Sequence, residues 1–296
     1  MKPYFILLLF GIILAACENP EFEFDSSNYQ PKLVIEAYLV PGQSPTDIKV
    51  TRNFPLAQSI SLEDVILSDA IVRITRNSDQ QHINLVYNAE KGNYEYPGSD
   101  FTIGYDEDYQ LYVEAAIDGK TLSAKSTTHT PKPGFKILPE SSQLAQTSYT
   151  GSENFMLAFS PSPGTDFYVA SLTALDASVE SFIYSPENRY ETIELEDSST
   201  VREELNFRKY NSSAWLNVPD SVSQIHELEW YLFDFYGRYK IILYAMDKNA
   251  KDFYLTHKEV QEMDGNFVEP RMAIDGEGIG VFGSVLADTV EVSLVE

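Results

Sequence analysis

Apolar and polar residues alternate over short runs through most of this chain, and Gly, Pro and Asn break the runs apart. Lys32 to Val40 is rich in β-formers and stops at Pro41-Gly42. Asp47 to Phe54 alternates, with Ile48, Val50 and Arg52 on one face. Further strands are predicted at Ala70–Thr75, Ile83–Tyr87 and Tyr109–Ala115. Asp118-Gly119 reads as a hairpin turn, and Lys120 to Ser126 as the returning strand. Short strands spaced about 8–12 residues apart predict an antiparallel sandwich, here over residues 32–130.

Thr130-Pro131-Lys132-Pro133-Gly134 marks a linker, because two prolines and a glycine stop any regular element. A second β-rich domain is predicted over residues 135–296. Residues 140–153 are polar and read as loop. Strands are predicted at Phe155–Phe159 and Phe167–Leu175. Leu228–Phe235 and Tyr239–Met246 read as a strand pair around Tyr236-Gly237-Arg238. Residues 185–213 are charged and poor in aliphatics, an excursion from the sheet. One helix is predicted near 249–263, capped by Asp247 or Asn249 and ended by Gly265. Phe253, His257 and Val260 recur at helical spacing and should face the second domain's sheet. A glycine-rich run from Asp275 to Gly283 and a strand from Thr289 to Val295 close the chain. No internal repeat of about 20–50 residues is visible.

The first residues follow a different pattern. Lys2 precedes an apolar run, Phe5 to Leu14, broken only by Gly11. That run is far shorter than the ~20 residues needed to span a bilayer. Leu14-Ala15-Ala16-Cys17 looks like a bacterial lipobox, cut between Ala16 and Cys17 with the Cys17 thiol acylated, palmitate included. Residues 1–16 are then a lipoprotein signal peptide and 17–31 an acidic tether. Cys17 is the one cysteine of the 296 residues, so no disulfide can form within the chain.

Composition narrows the partners. Hydrophobic residues make up 43%, with 19 Tyr and 17 Phe, enough to build sizeable cores. Net charge is −24, and −25 once Lys2 leaves with the leader. A field of that sign repels phosphate backbones, so nucleic acid is not expected as a partner.

Two stretches carry a resemblance when read together with the lipobox. The first runs from Val65 through Asp69-Ala70-Ile71-Val72-Arg73-Ile74 to Gly92-Asn93-Tyr94-Glu95-Tyr96. Tyr109-Gln110-Leu111-Tyr112-Val113 and Asp118-Gly119-Lys120-Thr121-Leu122-Ser123-Ala124 follow it. The second is Asp252-Phe253-Tyr254-Leu255, Gly265-Asn266-Phe267, Pro270 and Gly278-Ile279-Gly280-Val281-Phe282-Gly283. This order resembles the Bacteroidota lipoprotein family called domain of unknown function 4249, over about residues 30–295 of this sequence. The resemblance implies an outer-membrane lipoprotein with an immunoglobulin-like or transthyretin-like N-terminal sandwich. It also implies company with TonB-dependent outer-membrane transporters, and it transfers no catalytic residue. The acidic insert near 185–213 departs from the family pattern. Glu18, Glu21, Glu23 and Asp25, with no basic residue between them, look like the acidic signal that sends such lipoproteins to the cell exterior.

Candidate chemistry is sparse. The four histidines are His82, His129, His226 and His257, and none pairs with another at helical spacing. His226-Glu227-Leu228-Glu229-Trp230 begins like a zinc-protease helix, but Trp230 stands where the second histidine belongs. No metal site is expected, and His226 reads as a lone core or surface histidine. Asp106-Glu107-Asp108 and Asp275-Gly276-Glu277 could offer oxygens to calcium, yet neither matches an EF-hand loop. The glycines at 276, 278, 280 and 283 precede a strand rather than a helix, so they suit tight backbone packing better than a nucleotide. No cofactor is expected. There is no Gly-x-Ser-x-Gly elbow. Trp215, Trp230, Tyr231 and Tyr236 could stack on sugars, though at strand spacing such residues more often fill cores.

These readings converge on a mainly β, non-enzymatic accessory or ligand-binding lipoprotein of the outer membrane, facing the exterior and partnering a transporter. An adhesin or structural module is the alternative, and a glycan hydrolase the third.

Overall fold

The computed structural model describes residues 29–55, 60–143, 145–149, 154–183, 205–216, 224–257 and 270–296. The leader, Ala16, Cys17 and most of the acidic tether lie outside the described residues, as do 185–204 of the charged excursion.

The first half contains β1 (Leu33–Leu39), β2 (Lys49–Arg52), a helical turn α1 (Leu62–Val65), β3 (Ile71–Arg76), β4 (His82–Asn84), β5 (Val86–Asn88), β6 (Asn93–Glu95), β7 (Asp108–Ile117) and β8 (Lys120–His129). The second half contains β9 (Lys136–Ile137), β10 (Ala145–Ser148), β11 (Phe155–Ser160), β12 (Phe167–Ala174), β13 (Tyr210–Leu216), β14 (Gln224–Leu228), β15 (Gly237–Met246), helix α2 (Lys248–Thr256), β16 (Asp275–Gly276) and β17 (Gly278–Val295). The chain is mainly β, with antiparallel sheets and one helix longer than two turns among the described residues, as the polarity pattern predicts.

Alternation builds the first sandwich. In β7, Tyr109, Leu111, Val113, Ala115 and Ile117 point inward while the residues between them are more exposed. β8 returns with Leu122 and Ala124 on the same side. The turn between them puts Asp118 at φ 51° and Gly119 at φ 75°, the left-handed pair that a two-residue hairpin requires. The sheet β16-β8-β7-β3-β4 packs over β1, β2 and the start of β17. Leu33, Ile35, Ala37, Leu39, Val72, Leu111 and Phe282 lie in that core. A second core lies between the β14-β11-β9 sheet and β12, β15 and the later part of β17, around Phe155, Phe159, Tyr168, Leu172, Ile241 and Leu243.

The division at 130–135 is where the structure departs most from the sequence reading. Residues 278–284 of β17 pair in parallel with β1, from Leu33↔Gly278 to Leu39↔Ser284. From Val285 to Leu294 the same strand pairs antiparallel with β15. β16 pairs with β8. A ten-residue piece of the C-terminus therefore completes the first sandwich, and residues 32–130 do not contain all its strands. The alternation locates a strand but does not say which sheet receives it.

Other elements differ locally. The strand predicted at 83–87 divides at Leu85, whose N–H bonds Val72 O at 2.9 Å while β5 joins β6 instead. Within the polar stretch 140–153, β10 pairs in parallel with β17. The strand predicted at 228–235 ends at Leu228, and Trp230–Leu232 form a 3-10 turn. Trp230, Leu232, Phe233 and Phe235 are all buried there. A flat strand would send the adjacent Leu232 and Phe233 to opposite faces, whereas the turn lets both enter one core.

Helix α2 begins at Lys248, one residue before the predicted start, and of the two predicted caps it is Asp247 whose side chain accepts from Ala250 N–H at 2.9 Å. It is Ala250 and Thr256 that are buried, while Phe253 is half-buried and stacks on His257 at 5.4 Å. The helical spacing of Phe253 and His257 thus pairs them with each other. Val260 and Gly265 lie outside the described residues.

Candidate functional site

The two sandwiches meet at one half-buried carboxylate. Asp247 follows β15 and caps α2. Its Oδ1 accepts from Ala250 N–H and from Ser284 N–H at 3.0 Å, and its Oδ2 from the Thr128 hydroxyl at 2.5 Å. Three elements, α2, β17 and β8, therefore converge on one side chain. Burial pushes its carboxyl above the ordinary value, and those donors pull the other way without cancelling it. Asn249 adds a second clasp, donating to Thr127 O at 2.8 Å and Phe282 O at 3.0 Å. Ser284 Oγ donates to Leu39 O at 2.9 Å inside the first sandwich.

Glycines make the approach close enough for this. A Cβ on Gly283 would lie 2.9 Å from Ala250 Cβ. Gly280 has φ +113°, and a Cβ there would come within 2.0 Å of Ile35 O. The glycine-rich run is a strand packed against neighbouring backbone, as its context suggests.

A cleft of about 460 Å³ opens beside the joint, between the linker and the start of α2. Its charges are paired. Lys251 bonds Asp166 at 2.7 Å, Lys248 bonds Asp252, and Lys132 lies 4.0 Å from Asp106. At its rim, His129 Nδ1 is 2.8 Å from Asp108 and Nε2 is 3.1 Å from Asp106. Partial desolvation lowers this imidazole, but the two carboxylates together outweigh it and hold it above its ordinary value. Asp106 and Asp108, weighed above as calcium ligands, thus bracket a histidine. Glu277, of the other acidic triplet, accepts from Ser123 N–H at 2.8 Å.

The histidines are not brought together. His82 is exposed on β4, and His257 ends α2 with Nδ1 near Tyr254 O at 2.9 Å. His226 is 5% exposed in β14 and bonds Ser213 Oγ at 3.0 Å, tying the two sheets of the second sandwich together. Burial lowers its pKa to about 4, so it is neutral at pH 7. Among the described residues, no group of three or more His, Cys, Asp and Glu is arranged to hold a metal ion.

Of the four aromatics, Trp230 is buried against Tyr149 at 5.0 Å, and Tyr236 packs on Tyr149 at 6.2 Å. The Trp215 side chain lies outside the description. Tyr231 is 56% exposed, beside a groove of about 500 Å³ between β13 and β14. Sequence reasoning missed this groove, because its walls come from two strands of different sheets. It also reduced Asp247 to a helix cap, since Thr128 and Ser284 are far from it along the chain.

At the opposite end of the first sandwich, Arg52 bonds Asp118 at 2.6 Å and the Tyr29 hydroxyl at 3.1 Å, and Tyr29 donates to Asn53 O at 3.0 Å. Tyr29, the first described residue, thus lies beside the β7–β8 hairpin tip, while Thr128, at the far end of β8, reaches Asp247.

Sheets and joint together define a mainly β protein of two sandwiches strung on one shared strand. The chain belongs to the family described as Domain of unknown function (DUF4249), whose model matches residues 19–291. A comparison with curated proteins found no match. Among solved structures, the chain is similar to the "Crystal structure of chicken CNTN1 FN1-FN3 domains", at 7% identity and a TM-score of 0.19, over 90% of this chain and 68% of that one. So loose a superposition leaves the fold to be read from this chain's own sheets. Among the described residues, no helix is long and apolar enough to cross a membrane.

Proposed function

We propose that this chain is a bacterial lipoprotein, anchored in the outer membrane through Cys17 and facing the exterior, that serves as a non-enzymatic accessory or ligand-binding partner of a TonB-dependent transporter. The lipobox Leu14-Ala15-Ala16-Cys17 and the acidic residues after it support the anchor and its outward display. The transporter follows from the family resemblance. The observation that carries the reading is the opposite location of two ends. Tyr29 lies beside Arg52 and Asp118, whereas the Asp247 joint lies at the other end of the same sandwich. A lipid tether leading to Tyr29 would hold the second sandwich away from the lipid surface. The seven residues of β17 that pair with β1, Gly278 to Ser284, span at most about 23 Å at ~3.3 Å per residue before the strand enters the second sandwich. A domain set off from the lipid in this way is suited to meeting partners.

Fractionation tests the anchor. Wild type should fractionate with the outer membrane through a high-salt wash, because two or more acyl chains bind stably. Cys17→Ala should be released or remain an uncleaved precursor. A Cys17→Ala protein that still fractionates with the outer membrane would remove the lipid from the account. Pull-down of the lipidated protein from solubilised outer membranes, read by mass spectrometry, tests the transporter.

A further inference from the structure

We infer that the groove between β13 and β14 is a carbohydrate site, with Tyr231 as its stacking platform and Asn154, Glu227 and Glu229 as partners for sugar hydroxyls. The inference rests on the ligand-binding role proposed above and names the ligand's chemical class.

The chain's own alternation builds the wall. Ile225, Glu227, Glu229 and Tyr231 are exposed, while His226, Leu228 and Trp230 between them are buried. The buried residues anchor the wall to the second core, so the outward row is held by rigid packing rather than by a free loop. Asn154 Nδ2 donates to Glu227 at 3.2 Å, which orients one carboxylate from the neighbouring strand's start. Ser213 and His226 join across the groove at 3.0 Å. The volume, about 500 Å³, falls within the range of about 300–1,000 Å³ typical of small-molecule sites.

The chemistry selects the ligand. An aromatic ring presents a negative face, and the C–H face of a sugar ring carries complementary partial positive charge. Carboxylates and an amide beside that ring offer acceptors and a donor for hydroxyl groups. Among the described residues lining the groove there is no Lys or Arg, so phosphate and carboxylate ligands gain no charge partner. An apolar ligand would leave the two glutamates to be desolvated without hydrogen bonds. A neutral, hydroxyl-rich ligand satisfies both the ring and the carboxylates. A cationic peptide is the competing occupant, and ionic strength separates the two.

The test uses the full mature lipoprotein in detergent and isothermal titration calorimetry. The probes are maltohexaose, cellohexaose, xylohexaose and chitohexaose, with hexalysine as the cationic comparison. At least one hexaose should bind, with affinity nearly unchanged between about 0.1 M and 0.5 M salt, since no ion pair is formed. Tyr231→Ala should weaken that binding by about two- to twelvefold, the loss expected for one stacked ring. Glu227→Gln with Glu229→Gln should weaken it less, because an amide still accepts hydrogen bonds. The thermal midpoint of each variant checks folding, and Tyr231→Phe, which keeps the ring, should retain binding. The inference is overturned if none of the four hexaoses binds, if Tyr231→Ala binds as wild type does, or if only hexalysine binds and salt abolishes it. Membrane fractionation of the same variants reads the anchor separately, so a sugar-blind protein that remains anchored overturns this site alone.

Discussion

Asp247 and Ser284 are joined twice: Asp247 N–H donates to Ser284 O at 2.9 Å, and Ser284 N–H donates to Asp247 Oδ1 at 3.0 Å. Ser284 is the last residue of β17 paired with β1, and the next, Val285, is the first paired with β15. The two hydrogen bonds between these residues therefore fix the point at which one strand leaves the first core and enters the second.

Removing that carboxylate should be costly. Asp247→Ala deletes a helix cap and leaves the Ser284 N–H and the Thr128 hydroxyl without an acceptor. A loss of at least about 3 kcal/mol is expected, from roughly 1 kcal/mol for the cap and about 1–3 kcal/mol for each of the two donors left unpaired. Asp247→Asn retains an acceptor oxygen and avoids a partly desolvated charge, so it should lose less. Urea unfolding of the two variants, with the slope unchanged from wild type, gives the comparison.

The face that α2 turns to the sheet predicts an inverted mutational order. Phe253 is only half-buried, so Phe253→Ala should cost about 1–2 kcal/mol, below the ~3–5 kcal/mol of a fully buried Phe. Ala250 is buried where Gly283 allows close approach, and Ala250→Leu should cost at least as much through overpacking, about 1–3 kcal/mol or more. Thermal midpoints in which Phe253→Ala is clearly the worse of the two would place the helix in another rotation.

His226 makes stability depend on acid. Burial depresses its folded pKa to about 4 from an unfolded value near 6.5, so the unfolded chain binds the proton more readily. Its contribution is full above about pH 6.5 and is lost as pH falls through about 4. His226→Gln should flatten that part of the profile relative to wild type. Parallel urea midpoints from pH 7 to pH 4 would show no difference in slope if His226 were exposed and readily protonated.

Much of the first sandwich is legible in the sequence because its strands bury one face only. β7 and β8 alternate cleanly, and the Asp118-Gly119 pair has few other uses than a left-handed turn. The run from Trp230 to Phe235 is opaque for the opposite reason. Its apolar residues are nearly continuous, and a buried strand and a tight turn satisfy such a pattern equally well. The glycines at 280 and 283 announce close backbone contact, but not that the contacts are Ile35 and Ala250. Pairing between β1 and β17 spans nearly the whole chain, and no local pattern encodes a partner that distant. The edge groove shares this limit: the alternation from Ile225 to Tyr231 marks the outward row, but not that Ser213 and Ala214 of another sheet stand beside it.

The central claim is that β17 couples the two cores into one unit. Native-state hydrogen exchange at Leu111 in the first core and Leu243 in the second measures it directly, with Gly280→Val as the perturbation. A valine Cβ at 280 would clash with Ile35 O inside the first sandwich only. The account predicts equal opening free energies for the two amides in wild type and an equal fall in both in the variant. A variant in which the Leu111 amide exchanges faster while Leu243 keeps its wild-type protection would contradict it.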